Sequence, residues 1–117
     1  MHEAEWHRLG PEAEIAEGTM QSRGLNGWQV LVVRSEGKLI ALNDRCTHQA
    51  ARLSTGRIRR GAIMCPLHGA RFDLADGRCI GAVYPALRQF ELRVVDGTVE
   101  VLVPVAPPGM QETPVSF

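Results

Sequence analysis

Residues 90–103 read FELRVV-DG-TVEVLV, and this stretch constrains the fold more than any other. Apolar and polar side chains alternate on both sides of an Asp-Gly pair. Period-two alternation is the pattern of a half-buried strand. Asp-Gly supplies the left-handed backbone that a two-residue hairpin turn demands. The last third of the chain is therefore expected to be an antiparallel hairpin. Shorter runs upstream carry the same signature. Residues 28–34 (WQVLVVR) and 39–42 (LIAL) flank the turn SEGK. Residues 61–64 (GAIM) form a short apolar run, and 71–74 (RFDL) and Cys79-Ile80 flank the turn ADGR. The chain is punctuated by 12 Gly and 7 Pro. Only residues 10–18 (GPEAEIAEG) read as a short helical turn, with Pro11 at its first position and acids at its positive end. An all-β fold follows, a small antiparallel sandwich or barrel.

A chain of 117 residues has room for one domain and one modest core. That domain is expected over 1–103. Residues 104–117, rich in Pro and polar side chains, read as a mobile tail. Thirteen basic and thirteen acidic side chains cancel. A nucleic-acid partner would need a strongly basic surface, and none is expected. At 44% hydrophobic the chain is not disordered. No apolar run approaches the ~20 residues that cross a bilayer, so no membrane association is expected. The acidic start, Met1-His2-Glu3-Ala4-Glu5, lacks the basic-then-apolar order of a signal peptide. The expected compartment is the cytoplasm.

Two pairs of metal-ligating side chains stand out. One is Cys46-Thr47-His48, and the other is Cys65-Pro66-Leu67-His68-Gly69. Sixteen residues, 49–64, separate them. Each pair follows an expected strand, so both lie on loops at strand ends, where two loops can meet at one tip of a rigid sheet. Three cysteines in a chain without a signal peptide point to metal ligation rather than a disulfide framework. Thiolates and imidazoles suit iron–sulfur chemistry, but two Cys and two His also satisfy tetrahedral zinc. Cys79 follows a hairpin turn without a companion and reads as a buried strand residue. His2 and His7 receive no metal role.

Cys-x-His followed at this distance by Cys-x-x-His resembles the signature of the Rieske iron–sulfur family, and the similarity runs from Trp6 to Val103. The resemblance implies one 2Fe–2S cluster per chain, with two His replacing two Cys on one iron. Cys46 and Cys65 would bind the inner iron, and His48 and His68 the outer one. Two neutral imidazoles in place of anionic thiolates raise the reduction potential. The outer His edges would meet an electron-transfer partner, and their protonation can couple to the redox state. By the same resemblance, residues 81–86 (GAVYPA) are the proline loop over the cluster.

Departures from respiratory Rieske proteins refine this expectation. Those proteins carry an extra Cys in each ligand loop, joined as a disulfide, where this chain has Ala51 and Leu67. They also have a Ser and a Tyr that donate hydrogen bonds to sulfur. Ala70 and Phe72 stand here, and neither side chain can donate. Fewer hydrogen bonds to sulfur lower the potential, toward roughly −150 mV. Ala50 occupies a position where the family usually has Gly. These features are similar to the soluble ferredoxins of bacterial ring-hydroxylating oxygenase systems. Such a protein is no enzyme. It is a one-electron carrier from a flavin-dependent NAD(P)H reductase to a terminal non-haem iron oxygenase.

Three alternatives stand beside it. The first is the small subunit of an assimilatory nitrite reductase. The second is the Rieske domain of an oxygenase, which would need further His ligands for a mononuclear iron. The third is a zinc-stabilised binding module. Six Arg (45, 52, 57, 59, 60 and 71) and no acid lie between residues 45 and 71. That segment reads either as a basic docking face or as ordinary solvated charge.

Overall fold

In the computed structural model, the structure describes residues 3–47, 51–66, 70–81 and 84–112. Eleven strands occur among these residues: β1 (Ala4–Pro11), β2 (Met20–Leu25), β3 (Trp28–Ser35), β4 (Lys38–Asn43), β5 (Arg57–Arg59), β6 (Ala62–Met64), β7 (Arg71–Asp73), β8 (Cys79–Ile80), β9 (Gln89–Phe90), β10 (Leu92–Val95) and β11 (Thr98–Pro104). They form three antiparallel sheets, ordered β1-β11-β10, β2-β3-β4-β9 and β5-β6-β7-β8. The expected all-β antiparallel architecture is the one observed.

The sheets stack in three layers, because the middle one is apolar on both faces. Strand side chains alternate between faces. On β3, Leu31 and Val33 enter one buried cluster while Val30 and Val32 enter another. On β4, Ile40 and Leu42 face the first cluster, and Leu39 and Ala41 face the second. The first cluster is completed by Ile58, Ile63 and Phe72 of the β5–β8 sheet, the second by Val99, Val101 and Val103 of β11. One modest core was expected, and the chain builds two around a shared wall. The unbroken run Val30-Leu31-Val32-Val33 is the sequence trace of a strand covered on both sides.

The expected 90–103 hairpin is present, with Asp96 and Gly97 both at positive φ. Its first strand is broken at Glu91. Phe90 pairs with Ala41 in the middle sheet, whereas Leu92 pairs with Val101 in the outer one. Alternation survives the crossing because Phe90 and Leu92 both pack on the second cluster. The expected helical turn is a 3-10 turn, Glu12–Glu14, and Pro11 ends β1 rather than opening the turn.

The first part of the expected tail runs back along the fold. The Trp28 indole N–H donates to Ala106 O at 2.9 Å. The 3-10 turn Met110–Glu112 is held by Asn43 Nδ2 donating to Glu112 O at 3.0 Å and by an Arg88–Glu112 ion pair. A buried indole needs a hydrogen-bond partner, and the returning backbone supplies it. No helix among the described residues is long and apolar enough to cross a membrane.

Candidate metal centre

Two segments, 46–51 and 65–70, each begin with a cysteine that lies in the first core. Cys46 follows the end of β4, and Cys65 follows the end of β6 directly. Both are buried to within 1% of full exclusion and belong to the same cluster as Leu31, Ile63 and Phe72. The two segments close in the same way. The Cys46 N–H donates to Ala51 O at 2.9 Å, and the Cys65 N–H donates to Ala70 O at 2.7 Å. Each cysteine is therefore fixed by a bond to the carbonyl five residues ahead.

Buried charge sets the first segment. Asp44 is fully buried, and its carboxylate accepts from Ser22 Oγ (2.8 Å), Ser54 N–H (2.8 Å) and Ser54 Oγ (2.7 Å). Its own N–H donates to Gln29 O. A buried carboxylate is tolerable only when saturated with donors in this way. Asp44 thus ties β2, β3 and the 3-10 turn Leu53–Thr55 together two residues before Cys46. No motif marked Asp44 in the sequence. The one clue was an acid flanked by Asn43 and Arg45 at the mouth of a ligand segment.

Close backbone approach sets the second segment. A Cβ on Gly56 would run into the Met64 carbonyl oxygen, so only Gly lets this turn lie against β6 just before Cys65. Gly77, at φ +79°, is similarly tight against Leu87, and its carbonyl accepts the Leu87 N–H at 2.8 Å. That contact docks the β7–β8 turn on the chain leaving residues 81–86.

The expected proline loop touches the first segment. Thr47 Oγ1 donates to Pro85 O at 2.6 Å. Beside this contact lies a cleft of about 660 Å³ whose walls include Asn43, Arg45, Thr47, Pro85, Arg88 and Glu112. Ala82 and Val83 of that loop lie outside the described residues.

Of the four expected ligands, Cys46 and Cys65 are brought into one core. His48 and His68 lie outside the described residues, as do Ala50 and Leu67. Cys79, expected on a strand and buried, is on β8 opposite Phe72 and is half-buried. His7 faces the interior of the β1 sheet, with Glu5 at 3.9 Å, remote in the fold from the cysteines. The described half of the ligand set fits an iron–sulfur centre. Two thiols share one water-excluded core, and thiolate is the ligand that such clusters take. Ala51 is buried and Ala70 half-buried, and Phe72 is fully buried in that core, so none brings a side-chain donor to the sulfurs.

Comparison with known proteins agrees with this geometry. Residues 5–102 match the model of the Rieske [2Fe-2S] domain. The anthranilate 1,2-dioxygenase ferredoxin subunit of Burkholderia cepacia is 38% identical over 100 residues, covering 84% of this chain and 92% of the relative. Among solved structures, the ferredoxin of carbazole 1,9a-dioxygenase from Nocardioides aromaticivorans IC177 superposes with a TM-score of 0.74 at 27% identity, covering 88% of this chain and 98% of that one. A chain from the complex of reduced oxygenase and oxidised ferredoxin in carbazole 1,9a-dioxygenase gives a TM-score of 0.77 at 26% identity, covering 89% and 96%. With the paired cysteine segments, the three-layer fold and a match over nearly its whole length, the chain belongs to the Rieske [2Fe-2S] domain family.

Proposed function

We propose that this chain is a Rieske-type ferredoxin, a single-domain cytoplasmic electron carrier. It would take one electron at a time from a flavin-dependent NAD(P)H reductase and deliver it to a terminal non-haem iron oxygenase. Cys46, His48, Cys65 and His68 would hold the cluster, which supplies a one-electron redox couple when bound. The observation that carries the reading is the burial of Cys46 and Cys65 in one core beneath segments closed by the same hydrogen bond. The names of the relatives add the oxygenase context.

The chain's own residues have separable tasks. Cys46 and Cys65 present thiolates from the dry side of the site. Leu53, Ile63, Phe72, Leu74 and Leu87 keep water from those sulfurs. Asp44, Ser22 and Ser54 fix the approach to the first segment, and Gly56 fixes the approach to the second. The Thr47–Pro85 bond ties Pro85 to the first ligand segment. A preorganised frame of this kind lets the redox state change with little movement of the protein, which favours rapid electron exchange.

The test is an EPR spectrum of the dithionite-reduced protein, with iron and sulfide analysis on the same sample. The expected result is a rhombic signal whose average g lies below the free-electron value, with two irons and two sulfides per chain. A colourless, EPR-silent protein that holds zinc and fails anaerobic reconstitution would overturn the reading. His48→Cys is expected to lose the Rieske spectrum, and a variant that keeps it would remove His48 from the ligand set.

A further inference from the structure

We propose that the outer face of the β5–β8 sheet is the docking surface for a redox partner, and that the partner meets it with carboxylates set around an apolar centre. This rests on the electron-carrier reading above and adds the chemistry of the partner.

Register defines the face. Ile58, Ile63, Phe72 and Cys79 point inward to the first core. Their neighbours therefore point outward. The outer row beside the ligand segment is Arg57, Met64, Arg71 and Ile80, paired strand to strand in that order. Met64 immediately precedes Cys65, and Arg71 immediately follows Ala70, whose carbonyl closes the Cys65 segment. The row therefore lies along the end of the sheet that feeds the metal centre. Behind it stand Arg59, Arg60 and Ala62, which with Met64, Arg71 and Ile80 line a cleft of about 360 Å³; Arg57 flanks it at the end of the row.

The arginines of this face have no ion-pair partner among the described residues. Arg57, Arg59, Arg60 and Arg71 take part in none of the ion pairs or side-chain hydrogen bonds among the described residues. Arg34, Arg88 and Arg93, elsewhere in the molecule, each have a carboxylate partner. Asp73 shares the face but lies in the back row, and its Oδ1 accepts the Ala75 N–H at 2.8 Å. Glu36 stands at the far edge, beside Gly61. Arg45 and Arg52 are elsewhere, so four of the six arginines between residues 45 and 71 gather here.

Guanidinium groups pair bidentately with carboxylates. Arg and Met are enriched at protein interfaces. Met64 and Ile80, the latter 40% exposed, give the patch an apolar centre. A phosphate backbone would have no use for that centre, whereas an acid-rimmed protein surface would cover it. Since the formal net charge is zero, whole-molecule charge cannot steer an approaching anion, and only a local patch can.

The experiment compares the holoprotein with Arg57→Gln/Arg71→Gln and with a control of equal charge loss, Arg8→Gln/Arg23→Gln. The first readout needs no redox step. It is the fluorescence anisotropy of a fluorescein-labelled peptide rich in Glu and Leu, titrated with oxidised protein. Wild type and control are expected to bind it in a salt-sensitive way, and the Arg57/Arg71 variant about tenfold more weakly. The second readout is stopped-flow oxidation of the reduced protein. One electron passes to ferricyanide, which becomes ferrocyanide, or to tris(phenanthroline)cobalt(III), which becomes cobalt(II). Loss of Arg57 and Arg71 is expected to slow the anionic acceptor about tenfold at low salt and to speed the cationic one. Equal behaviour of all three proteins, or an equal loss in the control, would overturn the proposal. A holoprotein that passes no electron to either acceptor would overturn the electron-carrier reading instead, and the peptide titration would still decide the surface.

Discussion

Phe72 is a single side chain with a large leverage on the redox centre. It is fully buried beside Cys46 and Cys65 and has no hydroxyl to offer a sulfur. Ala70 is equally mute. A hydrogen bond worth about 1 kcal/mol corresponds to about 40 mV for one electron. Phe72→Tyr and Ala70→Ser are each expected to raise the midpoint by about that much, as read by protein-film voltammetry. The wild-type midpoint is expected near roughly −150 mV, the low end for Rieske centres, and a value above about +100 mV would contradict it. Asp44 is the complementary case, a residue invisible in the sequence and central in the structure. Asp44→Ala strips Ser54 N–H and two hydroxyls of their acceptor. A buried donor left unpaired costs about 1–3 kcal/mol, so urea unfolding is expected to show a loss of about 3 kcal/mol or more. The cysteines announced themselves because ligand spacing is written along the chain. Asp44 did not, because its three donors come from residues 22 and 54, and that meeting exists only after folding.

Strands declare themselves when burial differs between neighbouring residues. β3, β4, β6, β7, β8, β10 and β11 did so, as long apolar runs, strict alternation or residues flanking a clear turn. β1, β2 and β5 did not. β1 carries a bulge between Arg8 and Gly10 and lies at a sheet edge, mostly exposed. β2 is another edge strand, half-buried at most. β5 is three residues long with Ile58 alone turned inward. Edge and fragment strands bury too little to impose a period. Gly56 illustrates a further kind of hidden constraint, because a close approach leaves no trace beyond the glycine itself. Gly56→Ala would push the Met64 carbonyl away and displace the strand that delivers Cys65. The expected outcome is a protein that folds but binds less than its full complement of iron, measured by iron analysis at matched protein concentration. The returning segment 104–112 makes a separate forecast. Trp28→Phe removes its bond to Ala106 O, so limited proteolysis is expected to cut within 104–112 sooner than in wild type.

At the scale of the whole molecule, the all-β architecture followed from turns and periodicity, as did the position of Cys46 and Cys65 just past strand ends. The layering did not, since whether an apolar run is covered on one face or two depends on strands far off in the chain. Within the expected tail, residues 104–112 carry contacts that composition does not announce: the Trp28 indole bonds to Ala106 O, and Arg88 pairs with Glu112.

The shared wall has an optical consequence. β3 places Leu31 and Val33 under the cysteines and sets Trp28 at its head on the opposite side, edge-on to Phe90 at 5.6 Å between ring centroids. Whatever loosens the iron-bearing layer must disturb the strand to which this indole belongs. The indole is thus a resident gauge of metal loss, and its emission should report demetallation from across the sheet, with no probe placed at the redox centre.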